Sequence, residues 1–194
     1  NLNIDVITDE NLAKSKEKYD IIFMSSVFHE IISYMSRLER TKVLKQIYRN
    51  LKKDGKLIIR DWANNNSDNP YTINTKSEKA SKEVDRWVKK LKENSIIQNV
   101  EKINNKEYKT TEKEAYEVMF HVVWGLQSLE REGKEEYNIQ DYLEKWLLKP
   151  LNFKVSSVIE EKDESYLQYL QKYFKLEEVP FNTKCILVLE KEEL

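Results

Sequence analysis

"KYDIIFMSSVFHEI", Lys18 to Ile31, is the stretch on which the fold turns. Its first half is a near-continuous apolar run, the pattern of a parallel strand covered on both faces. The run stops at Ser25-Ser26, and a histidine and a glutamate follow at once. A buried strand that exits into polar groups delivers them to a sheet rim, where open α/β sheets bind ligands.

Downstream, "RLERTKVLKQIYRNLKK" from Arg37 to Lys53 spaces Leu38, Val43, Leu44, Ile47, Tyr48 and Leu51 by threes and fours. That spacing predicts an amphipathic helix. "KDG" closes it, with Gly55 expected as a left-handed C-cap. "KLIIRDW", Lys56 to Trp62, reads as the next strand. Strand, helix and strand in this order form a βαβ unit, which implies a parallel pair with a right-handed crossover. Upstream, "LNIDVIT", Leu2 to Thr8, alternates as a short strand ending near Asp9, followed by a polar turn or short helix. Three strands are then expected to bring Asp9, Ser25 and Asp61 to one rim.

After Trp62 the chain turns polar, and "ANNNSDNPYTINTKS", Ala63 to Ser77, reads as a loop. Val84, Trp87, Val88 and Leu91 mark a helix between Ser77 and Asn94. "NSIIQNVEKINNKEYKTT" is ambiguous. "TEKEAYEVMFHVVWGLQSLE", Thr111 to Glu130, opens with a Thr-x-x-Glu capping box and predicts a helix. Asn138 is expected to cap a further helix that Pro150 ends. "NFKVSSVIEE" is a strand, "SYLQYLQKYF" a helix or a pair of turns, and "TKCILVLEKEEL" a closing strand.

The bulk composition narrows the function classes. The chain has 194 residues, 40% of them hydrophobic and 35% charged, enough apolar content for a folded core. Lys and Arg number 33 against 34 Asp and Glu, a net charge of −1, so no global field draws in nucleic acid or an anionic membrane. The single cysteine, Cys185, permits no internal disulfide and fits a reducing, cytoplasmic setting. It lies in an apolar run, as a small buried hydrophobe does. No apolar run approaches the roughly 20 residues of a membrane span.

"YDIIFMSSVFHEI", the helix ending "LKKDG" and the strand "KLIIRDW" together resemble the middle of the class I S-adenosylmethionine (SAM)-dependent methyltransferases. "YNIQDYLEKWLLKPLNFKVSSVIE" is similar to that family's helix leading into its sixth strand. "TKCILVLEK" is similar to its antiparallel seventh strand, which lies between the fifth and sixth. The resemblance covers about residues 1–62 and 137–191. It implies an α/β fold: a partial Rossmann-like sheet, mostly parallel with an antiparallel last strand, carrying a helical insertion. By the same resemblance residues 1–62 and 137–194 are expected to form the core and 63–136 the insertion or lid.

The resemblance also implies site roles. Asp9, Glu10 and Asn11 would contact the adenine of SAM, and Ser25, Ser26 and Val27 would border its methionine arm. His29 and Asp61 are the catalytic candidates, His29 as a base toward a hydroxyl or amine. Arg60, Trp62, Phe120, His121, Trp124 and Arg131 are candidates for substrate contact. For the insertion residues a plain hydrophobic core stripe is the competing reading. No metal is expected.

One departure matters. The family's glycine-rich turn, which holds the carboxylate end of SAM, has no counterpart here. The three glycines stand at 55, 125 and 133. With Asn1 first, the chain is expected to be the C-terminal part of a catalytic domain, completed by an N-terminal half in the same or another chain. The expected function is methyl transfer to an O or N nucleophile of a small molecule or RNA. "KASKEVDRWVKKLKEN" supplies the Lys, Arg and Trp for an RNA-facing helix. The alternative is a non-catalytic methyltransferase-like module that binds a protein or nucleic-acid partner. A nucleotide-dependent reductase is a weaker third reading, since it too needs a phosphate-binding glycine turn.

Overall fold

β1 (Tyr19–Ser25) runs parallel to β2 (Leu51–Trp62), with Phe23 paired to Ile58 and Ser25 to Arg60 in the computed structural model. The structure describes residues 5, 8–63, 67–125, 127, 129–135, 140–176 and 182–192. The expected strand at Leu2–Thr8 lies almost wholly outside them. Asp9 opens a helix, α1 (Asp9–Lys14), capped by Thr8, whose hydroxyl accepts from Asn11 N.

The crossover from β1 to β2 is made by α2 (Phe28–Tyr34) and α3 (Arg37–Asn50). A reciprocal Ser36–Glu39 capping box starts α3, and Leu44 and Ile47 are buried on its inner stripe. Leu38, expected on that stripe, is 66% exposed. Gly55 is not the helix cap. α3 ends at Asn50 with Leu51 extended, and Gly55 lies within β2 at ordinary φ. The register jumps from Tyr19–Leu51 to Ile21–Lys56, so the Lys52–Gly55 segment bulges out at the strand start. An added Cβ at Gly55 would stand 3.0 Å from the Lys52 backbone, which explains the glycine there.

The chain returns through α7 (Gln140–Leu143), a π-helical turn at Glu144–Leu148 and α8 (Lys149–Leu151) into β6 (Phe153–Glu161). Asn138 lies outside the described residues. Pro150 sits inside the last turn and does not end it; Asn152, at φ 54, does. Proline supplies no N–H and its ring crowds the carbonyl four residues back, so the turn before it widens to π geometry. α9 (Glu164–Leu170) and β7 (Lys184–Lys191) follow.

The fold is α/β with a mixed sheet in the order β1-β2-β7-β6. β7 is antiparallel to both neighbours. Its Lys191 end lies at Leu51 and Asn152, and its Cys185 end at Trp62. The last strand therefore lies between the second and the penultimate one, as expected above.

One expectation about β1 fails. It is covered on one face only: Ile21 is 54% and Phe23 59% exposed, while Met24 is buried. The Phe23–Ile58 pairing, the Lys56–Glu190 ion pair at 3.0 Å and the Ser156 hydrogen bond to Glu190 trace one continuous face across all four strands. On it Ile58, Ile186 and Val188 are half-buried, and Val158 is 49% exposed. The opposite face carries Leu57, Ile59, Leu187 and Leu189, each 0% exposed, beneath α2 and α3. The run looked two-sided because both faces are apolar, but only one has a cover among the described residues.

Residues 1–62, 139–159 and 185–194 form one compact unit, and 63–138 with 160–184 form a second. The second contains helices, and also an antiparallel sheet in the order β3-β5-β4, built from β3 (Pro70–Asn74), β4 (Glu101–Lys102) and β5 (Glu107–Thr111). β3 falls in the stretch read as loop. Against this sheet pack α4 (Glu78–Glu93) and α5 (Glu112–Trp124), which bury Val84, Trp87, Leu91, Val118 and Phe120. A short α6 (Leu129–Glu132) follows. Among the described residues no helix is long and apolar enough to cross a membrane.

Candidate functional site

The site begins where β1 ends. Ser26 adopts φ 53, and its N–H donates to Arg60 O at 2.8 Å, prolonging the ladder by one rung before the chain turns into α2. A left-handed conformation at a non-glycine residue is unfavourable and persists where surrounding structure imposes it. Val27 then occupies the N-cap of α2, a position its side chain cannot serve.

Asp61 takes over that duty from β2. Its Oδ2 accepts the His29 backbone N–H at 3.0 Å, one of the orphan donors of the first helical turn. Its Oδ1 accepts the Trp62 N–H at 2.8 Å and lies 2.6 Å from His29 Nδ1. Asp61 is 0% and His29 4% exposed. Both carboxylate oxygens are engaged as acceptors, so the His29 Nδ1 carries the proton and donates. The imidazole is thereby held in one orientation with a proton on Nδ1. Ser33 Oγ donates to the His29 carbonyl at 2.7 Å and steadies the same turn. A carboxylate orienting an imidazole is an arrangement chemically able to serve proton transfer.

The two catalytic candidates are therefore brought into direct contact. Ser25, Arg60 and Trp62 stand at the same strand ends but on the open face, opposite Asp61, because side chains alternate along a strand. Ser25 is exposed, and Val27 is 41% exposed at the start of α2. Asp9 and Glu10 are the first two residues of α1, and Asn11 beside them is exposed.

The four insertion candidates lie in the second unit. Phe120 is fully buried in an aromatic cluster, with ring centroids 5.8 Å from Tyr116, 6.0 Å from Trp124 and 6.5 Å from Tyr166. Trp124 is 44% exposed at the end of the stripe. His121, 1% exposed, donates from Nδ1 to Glu117 O at 2.8 Å. Its Nε2 is buried without a hydrogen-bond partner among the described residues. Burial pushes the His121 pKa below the usual 6.5, against a smaller opposing effect of the Glu117 carbonyl and Glu135. Tyr166 is held well above the ordinary tyrosine range by burial, with Glu117 adding to the effect. Arg131 Nε lies 3.3 Å from Glu135.

Sequence reading missed Glu114. It stands where a capping box would place it, but its carboxylate accepts from Gln98 N and Asn99 N, each at 2.8 Å, and so pins the segment before β4. Only the backbone N of Glu114 takes part in the cap, donating to Thr111 Oγ1.

No protein-family model matches this chain, and no curated protein matches it. Among solved structures it is similar to a crystal structure of a SAM-dependent methyltransferase from Methanosarcina mazei, with 10% sequence identity and a TM-score of 0.35. The match covers 95% of this chain and 66% of that one, so the chain spans just under two thirds of that protein's length.

Proposed function

We propose that this chain is part of a SAM-dependent methyltransferase that acts on an O or N nucleophile of a small molecule or RNA. The observation that carries the reading is the buried His29–Asp61 pair at the ends of two parallel strands. When bound, SAM supplies an electrophilic methyl group on a sulfonium. The chain's own residues do the rest. His29 Nε2 takes the proton from the acceptor's O–H or N–H, and Asp61 holds the ring's tautomer and balances the charge that develops on it. Because such displacement depends on alignment, the rigid strand ends contribute as much by positioning as by proton transfer.

The residues present fit part of the donor. Ser25, Ser26 and Val27 offer hydroxyls and backbone groups at a strand end, suited to the methionine arm. Asp9, Glu10 and Asn11 are of the polar type that accepts an amino N–H of adenine. A backbone cradle for the carboxylate would need a glycine-rich turn, and the glycines at 55, 125 and 133 do not form one. The completing half is a polypeptide that adds a strand parallel to β1 and lays helices on the open face. The half-exposed apolar surface of Ile21, Phe23, Ile58 and Val158 supports this, since parallel sheets are covered on both faces.

The absent glycine turn also favours a second reading, a methyltransferase-like module without its own donor site. Isothermal titration of the full-length protein with SAM and with its demethylated product separates the two. Saturable micromolar binding that weakens when Ser26→Pro is introduced supports the enzyme. Absence of heat with either compound refutes it and leaves the module.

A further inference from the structure

Away from the His29–Asp61 rim, α3 and the π-helical turn enclose a groove of about 610 Å³. Arg37, Thr41 and Lys45 line it at four-residue steps along α3, and Lys145, Trp146 and Pro150 line it from the other side. Arg37, Lys45 and Lys145 are exposed, and none of them forms an ion pair among the described residues. Lys149 nearby is different, because it is paired with Glu144 at 2.5 Å.

Beneath these three cations lies a second deficit of the same kind. Trp146 is 9% exposed, and the Arg40 guanidinium stacks on it with Cζ 4.4 Å from the ring centroid. Arg40 Nη2 is satisfied by Ile32 O at 2.7 Å and Met35 O at 2.9 Å. Arg40 Nε and Trp146 Nε1 are not: both are buried, and neither has an acceptor among the described residues. Orphaned buried N–H donors are rare in folded proteins, and each calls for a missing acceptor. Trp146 also sits in the π turn, a geometry often found at functional positions.

We propose that this groove binds a phosphate group, supplied by a nucleotide or by a nucleic-acid strand. Cations without anions and donors without acceptors are answered together by one group carrying negative charge and several acceptor oxygens. A tetrahedral phosphate bridges cations projecting from two elements, whereas a planar carboxylate is served by one arginine fork. The phosphate reaches the buried donors by opening the Arg40–indole stack. The site lies between α3 and the π-helical turn and does not depend on the methyltransferase reading.

The test is NMR of the indole Nε1–H resonances, with Trp146 assigned through Trp146→Phe. Inorganic phosphate, uridine monophosphate and a short oligouridylate are titrated in turn at constant ionic strength. The expected result is a saturable shift of the Trp146 resonance. Lys45→Glu combined with Lys145→Glu weakens binding on the order of tenfold or more, and Lys149→Glu leaves it unchanged. Oligouridylate binding tighter than the mononucleotide, with a log–log salt slope of about −2 for three contacts, identifies a nucleic-acid strand as the source. Equal affinities identify a small phosphate ligand. No saturable shift with any of the three probes, or binding indifferent to the double charge reversal, overturns the proposal.

Discussion

His29 Nδ1 and Asp61 Oδ1 lie 2.6 Å apart, a helix residue held by a strand residue 32 positions later in the chain. The same carboxylate caps the helix that carries the histidine, so the ring and its backbone are fixed by one group. Asp61→Asn keeps the shape but replaces one of the two acceptor oxygens with an amide donor. The variant is expected to lose about 1–3 kcal/mol of stability in urea unfolding. It is also expected to release the His29 tautomer, seen as a mixed pattern in long-range ¹H–¹⁵N spectra of the imidazole. An unchanged single tautomer in Asp61→Asn would show that something else orients the ring.

Neighbours on β1 should respond very unequally. Met24 is buried under the helices, and Met24→Ala is expected to cost about 2–5 kcal/mol. Phe23, one residue earlier and 59% exposed, faces the uncovered side. Phe23→Thr is expected to change stability by less than about 0.5 kcal/mol. Chemical denaturation of the two variants decides it, and equal losses would contradict the one-sided cover.

The buried His121 makes the second unit acid-sensitive. Its folded pKa lies below the unfolded value of 6.5, so the unfolded chain takes up the proton first. The stability is complete above pH 6.5 and falls as the pH is lowered toward the folded pKa. The Glu117 backbone carbonyl, which accepts from Nδ1, and the charge of Glu135 partly oppose the shift. His121→Phe should flatten the pH dependence of the melting temperature in that window. A variant that retains the full slope would assign it to other groups.

Glu114 joins two segments through one carboxylate. Glu114→Gln replaces one acceptor oxygen with an amide, leaving either Gln98 N or Asn99 N without its partner. A loss of about 1–3 kcal/mol is expected. Faster amide hydrogen exchange at residues 98 and 99 should accompany it. Wild-type exchange at both positions would refute the assignment.

Much of the framework was legible in residue order because it is written in local periods. Apolar spacing by threes and fours marked α3 and α4, and the runs at Tyr19, Lys56 and Lys184 marked three strands of the sheet. The pairing of His29 with Asp61 was only half legible. Both stood at strand exits, but nothing in the spacing showed that Asp61 caps the helix of His29. Arg60 and Trp62 stood at the same strand exit as candidates for substrate contact, and strand alternation turns them to the face opposite Asp61. β3 was hidden because it is short, opens on a proline and follows a polar run, and its partner β5 lies about 35 residues away, so only the long-range ladder makes it a strand.

Residue order by itself determined the helices and strands that carry a clear apolar period, α3, α4, β1, β2 and β7 among them, and that two parallel strands end together, since both follow from side-chain periodicity and short connections. Tertiary structure alone decided which face of β1 is covered, which oxygen each N–H reaches, and where Trp146 and Arg40 leave donors unanswered. Those outcomes depend on what packs beside each residue, and a neighbour across space leaves no period in the chain.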